Sequence, residues 1–137
     1  MNKKAKSFVV IMIVIAVLAL ALRVIIAGII KRNMIQNESN AQGTLKLVSA
    51  ALENYAKDHV GSYPNDFSLL VKSQPPYLDR DYPSQPPVKG YDYTCNRIEA
   101  GGYSCLASPV KCNLTGRQAY TVTSGGLFVS EECSKKE

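Results

Sequence analysis

The chain has 137 residues, four cysteines and a formal net charge of +5. Once a short basic start and a long apolar run are set aside, roughly 105 residues remain, enough for one domain and too few for two. Lys3, Lys4, Lys6, Arg23, Lys31 and Arg32 all precede the first carboxylate, while residues 33 onward carry ten Lys/Arg against eleven Asp/Glu, so the folded part has no basic footprint and nucleic acid is excluded as a partner.

Residues 1–7 form a basic leader, and residues 8–30, FVVIMIVIAVLALALRVIIAGII, contain Arg23 as their only charge. A helix rises ~1.5 Å per residue, so this run spans ~34 Å and can cross a ~30 Å hydrocarbon core. Ala16, Ala19, Ala21, Ala27 and Gly28 interrupt the bulky side chains, as in segments that pack against other membrane helices. The leading lysines place the N-terminus in the cytoplasm. Arg23 lies near the outer end and is expected to snorkel toward the headgroups, the alternative being a carboxylate partner on a neighbouring subunit. A cleaved secretory signal with Ala19-Leu20-Ala21 as its cleavage site is a competing reading, but it would leave Leu22 to Ile30 as an exposed apolar end.

Beyond Arg32, Ala41, Leu45, Val48, Leu52, Tyr55 and His59 recur at spacings of three and four, the period of an amphipathic helix. Gln42, Lys46, Ser49, Glu53 and Lys57 make the polar face, and Gly61 is the expected stop. Residues 8 to about 59 therefore read as one helix, with a weakening or unwinding expected over NESNAQG, residues 37–43, where strong helix formers are scarce. A short helix follows, capped by Asn65 or Asp66, with Phe67, Leu69 and Leu70 expected to face inward. Residues 74–90 hold five of the seven prolines and are expected to be mostly extended loop.

From residue 91 the period changes to two. YDYTCN, GYSCLA, AYTVT and LFVSEEC are four strand candidates separated by turn signals, giving an α+β domain over 31–137: helix continuation 31–60, loop with short helix 61–90, antiparallel sheet 91–137. Cys95, Cys105, Cys112 and Cys133 lie in this last part, and their even number in a small domain reads as two disulfides in an oxidising compartment. A hairpin turning near Ala100 sets Cys95 opposite Cys105 and leaves Cys112 for Cys133, one of three possible connectivities. A zinc site is the alternative, disfavoured by the absence of any C-x2-C pair.

No catalytic constellation is present and no cofactor is implied. His59 continues the helix stripe as a packed or boundary residue, Asp79 and Asp81 sit in the proline-rich loop without an acid/base partner, and no nucleophile elbow or phosphate loop occurs. Asn37-Glu38-Ser39 and Asn113-Leu114-Thr115 match the glycosylation sequon. Tyr77, Tyr82, Tyr91 and Tyr93 gather around the proline-rich loop, either as cover for a small sheet or as a contact surface.

The order of parts resembles the type IV pilin and type II secretion pseudopilin family: a basic leader ending before Phe8, an apolar run, a helix continuing into the domain, then an antiparallel sheet. AALENYAKDHVGSYPNDFSLLV resembles the end of the long helix in major pseudopilins, and GGYSCLASP and AYTVTSGGLFV resemble sheet strands of small pseudopilin-like proteins. The resemblance implies a pilin-like fold and a single-pass inner-membrane subunit with its C-terminal domain periplasmic or extracellular. It also implies prepilin-peptidase cleavage between Ser7 and Phe8, and assembly with other pilin-like subunits, in contact with inner-membrane lipids, through a helix containing Phe8, Met12 and Arg23. Two positions depart from the family pattern, Ser7 where a Gly is usual and Met12 where a Glu is usual. No counterpart of the calcium loop of major pseudopilins is present, and no metal is carried over. Two other readings compete with a filament subunit: a membrane-tethered extracytoplasmic binding module that does not polymerise, and a small secreted enzyme.

Overall fold

A computed structural model describes residues 3–134. One helix, α1, runs Lys3–Asp58; α2 is Ser68–Lys72; a 3-10 turn covers Tyr82–Ser84; and four strands follow, β1 Tyr91–Glu99, β2 Gly102–Pro109, β3 Gln118–Thr123 and β4 Leu127–Glu132. The chain divides into two units, Met1–Asn33 and Met34–Glu137.

In the first unit every described residue from Lys3 to Ile29 is exposed, including the aliphatic side chains around the whole helix. An apolar helix with no polar face has no side to give to water, and by length and composition it is able to cross a membrane.

In the second unit the strands form an antiparallel meander in the order β1-β2-β3-β4. Residues of alternate parity face α1: one row runs Tyr93, Ala107, Tyr120 and the next Cys95, Cys105, Val122, Phe128, each set in register across the strands. Against them α1 buries Ala41, Leu45, Val48, Ala51, Leu52 and Ala56. The small Ala107, fully buried between two tyrosines, leaves room for both rings in one layer. A bulge at Asn96 shifts the β1–β2 register by one, so the hairpin closes with Glu99 opposite Gly102 while Cys95 stays opposite Cys105.

The expected weakening over residues 37–43 does not occur, and α1 is helical throughout. Tertiary contacts outweigh the low intrinsic propensity: Asn37 donates its amide to the Thr115 carbonyl at 2.9 Å, Glu38 accepts from the Arg117 N–H at 2.7 Å, Gln42 donates to the Tyr120 hydroxyl at 3.0 Å, and Ala41 is fully buried. At the other end Gly61 at φ 82 donates to the Ala56 carbonyl at 2.7 Å, but Val60, at φ 58, is the residue that first turns left-handed.

Two further local expectations are corrected. The N-cap of α2 is Phe67, without a side-chain cap bond, and not Asn65 or Asp66; Asp66, one residue earlier, accepts from the Ser68 N–H at 3.1 Å. Leu69 faces solvent at 40% exposure; only Phe67 and Leu70 of that trio are buried, because a helix of five residues turns just one flank to the core. Within the proline-rich loop, Asp81 accepts from the Ser84 hydroxyl at 2.9 Å and caps a short turn at Tyr82–Ser84.

Candidate assembly surface

The residues singled out for processing and assembly lie on α1. Ser7, Phe8, Met12 and Arg23 are all exposed, and Phe8 at 65% and Met12 at 54% stand one helical turn apart on one face. Arg23 makes no ion pair among the described residues. The surface here is hydrocarbon on every side except at that one cation, and the chemistry it offers is van der Waals packing against lipid or other apolar helices.

The second unit supplies a rigid body for such a helix to carry. Both disulfides are formed, Cys95–Cys105 and Cys112–Cys133, so every cysteine is spent on a covalent tie. The first joins directly opposed positions of β1 and β2, and the second fixes the segment after β2 to the end of β4.

A polar clamp, built around Glu53, joins helix to sheet. Its carboxylate accepts from the Tyr103 hydroxyl of β2 at 2.9 Å, from the Gly125 N–H in the β3–β4 turn at 2.8 Å, and from the Tyr63 hydroxyl at 3.2 Å. Since Tyr103 donates to Glu53, the Ser49 hydroxyl 2.9 Å away is the donor in the Ser49–Tyr103 bond. Burial raises the Tyr103 hydroxyl to about 12, with the Ser49 bond opposing the rise and Glu53 adding to it. Burial likewise pushes Tyr91 up; its hydroxyl donates to the Gln118 carbonyl at 2.7 Å.

Ser49 and Glu53 of the polar face are not left to solvent: Ser49 is buried and Glu53 is half-buried. The sequence does hold a signal for them, since positions 49 and 53 flank the apolar stripe at 48 and 52, and polar residues at the margin of a stripe are the ones a tyrosine-rich sheet can reach.

The other flagged residues fall outside this clamp. Tyr82, Tyr91 and Tyr93 are buried, so they cover the sheet and are not a contact surface. Tyr77 donates its hydroxyl to Asp58 and meets the Tyr55 ring edge-on at 5.5 Å. His59 is an exposed residue just past the helix end, stacked on Tyr55 at 3.8 Å with its Nδ1 donating to the Tyr55 carbonyl. Asp79 pairs with Arg80, and Asp81 is a turn cap. Of the two sequons, Asn37 has its side-chain amide engaged by Thr115, whereas Asn113 is exposed in a turn.

These parts define a class: an α+β domain tied by two disulfides, in a chain whose N-terminal helix is apolar on all sides. No protein-family model, curated protein or solved structure matches the chain.

Proposed function

We propose that this protein is a pilin-like or pseudopilin-like structural subunit of a type II secretion or type IV pilus filament system. The carrying observation is the first unit: a helix apolar around its whole circumference, from Phe8 to Ile29, with no protein surface of its own chain covering it among the described residues. Such a helix is soluble in a bilayer as a monomer and is equally satisfied inside a bundle of identical helices. It sits in the inner membrane with the N-terminus cytoplasmic, and the disulfides agree with an oxidising compartment for the sheet. In an assembled filament the helices form the core and the disulfide-tied domain the outside.

The second reading, a tethered module that does not polymerise, is favoured by two residues. Ser7 precedes Phe8 where a peptidase site would have Gly, and Met12 offers no carboxylate to a neighbour's N-terminal amine. Intact mass and N-terminal sequencing of protein from membranes of a host with a prepilin peptidase separate the two readings, together with crosslinking of single-cysteine variants at Val10, Val14 and Ala21. A chain starting at Phe8 with helix-to-helix crosslinks supports the filament subunit. A chain retaining the leader, with no crosslinks at any position, overturns it and leaves the tethered module.

A further inference from the structure

The second unit also carries a cationic cleft that the filament reading does not use. It has a volume of about 260 Å³ and lies between α1, the proline-rich loop and β1. Asn40 and Thr44 of α1, Arg80 of the loop and Lys89 before β1 supply its polar lining, the buried rings of Tyr82 and Tyr93 form its walls, and no Asp or Glu lines it.

The two cations are supported differently. The Arg80 guanidinium lies 5.7 Å from the centre of the Tyr82 ring, and Asp79 engages only its Nε, at 3.1 Å, while accepting the Tyr82 hydroxyl with its other oxygen at 3.3 Å. The terminal N–H groups of Arg80 have no acceptor among the described residues. Lys89 is exposed and makes no ion pair among the described residues; its backbone, not its side chain, is fixed. It is the first of two residues in a tight turn closed by Val88 and Tyr91, which exchange hydrogen bonds at 2.8 and 3.1 Å, and it has φ 49. Asn, Asp or Gly occupies that turn position without strain, whereas a lysine there is energetically unfavourable and projects a cation from a rigid base.

We propose that this cleft binds a phosphate-type oxyanion. With Asp79 offsetting Arg80, the site still keeps a net positive charge, which favours an anion. The donors come from three elements, the guanidinium fork, the lysine ammonium and the Asn40 amide of α1, and a tetrahedral oxyanion presents its acceptors in three dimensions where a planar carboxylate presents them in one plane. The chemistry is shared by a phosphodiester of a lipid headgroup and by a soluble phosphate ester. The proposal does not depend on whether subunits assemble.

Acylation of Lys89 by an amine-reactive ester, read by mass spectrometry on the full chain in detergent micelles, tests the site. Inorganic phosphate is expected to protect Lys89 severalfold relative to chloride or acetate at equal ionic strength, leaving Lys46, Lys57 and Lys111 unchanged, and Arg80→Gln and Asn40→Ala to abolish that protection. Near-ultraviolet circular dichroism checks that both variants fold. In nanodiscs without added phosphate, protection assigns the ligand to a lipid headgroup; protection only on adding phosphate assigns it to a soluble ester. Equal reactivity in phosphate and chloride in both settings, equal protection by acetate, or protection that survives in both folded variants overturns the proposal.

Discussion

Replacing Tyr103 by Phe removes one hydroxyl from the Glu53 clamp and tests the helix–sheet junction. The ring is 1% exposed, so the packing is kept and only the polar balance changes. Glu53 loses one of its donors, and a hydrogen bond to a charged group contributes about 1.5–3 kcal/mol. Ser49, 8% exposed, loses the acceptor for its hydroxyl, and an unsatisfied buried donor costs about 1–3 kcal/mol. Partial hydration of the half-buried Glu53 offsets some of this, leaving an expected loss of about 3 kcal/mol, or roughly 12–24 °C in Tm for a domain of this size. Urea and thermal unfolding of the full chain in detergent, followed by tyrosine near-ultraviolet circular dichroism, measures it. Ser49→Ala alone should cost about 1 kcal/mol, and the double variant clearly less than the two single losses together, because removing both partners leaves no orphaned donor. A Tyr103→Phe loss under about 0.5 kcal/mol, or strict additivity in the double variant, would refute the clamp as the element that fixes helix to sheet.

Alkaline pH should destabilise the domain. Tyr103 and Tyr91 have folded values raised above that of a free tyrosine by burial, so the unfolded chain releases their protons first and stability falls as pH climbs past about 10; Tyr103 alone removes on the order of 1 kcal/mol between pH 9 and 11. Urea midpoints at those two pH values check this, and Tyr103→Phe should show a shallower decline. Val60 is fully exposed at φ 58, so Val60→Gly should raise stability by about 0.5–1 kcal/mol, relief of left-handed strain outweighing the entropy of the new glycine; a lower Tm contradicts that account. Gly116 packs directly under the Tyr91 ring, which itself is fully buried and bonded to Gln118, so Gly116→Ala should cost about 2 kcal/mol or more, read from the urea midpoint.

The sequence alone determined the elements whose cause is local. Twenty-three residues with a single charge can only be a helix in an apolar surrounding, because no other single segment satisfies its own backbone there. The three-and-four spacing from Ala41 to Tyr55 fixed the buried stripe of α1, and the change to period two, with turn residues between runs, fixed four strands. The register that opposes Cys95 and Cys105 follows from hairpin length, although the bulge at Asn96 does not. What only the tertiary structure decided are the matters settled by partners distant in sequence. Residues 37–43 stay helical because Thr115, Arg117 and Tyr120 come to meet them. Glu53 and Ser49 are interface residues because Tyr103 and Gly125 lie across from them, 50 or more positions along the chain. Arg80 and Lys89 face Asn40 and Thr44 across one cleft only once the proline-rich loop has folded back along α1. Periodicity records which side of an element is apolar, and it is silent on which polar group will be waiting on the other side.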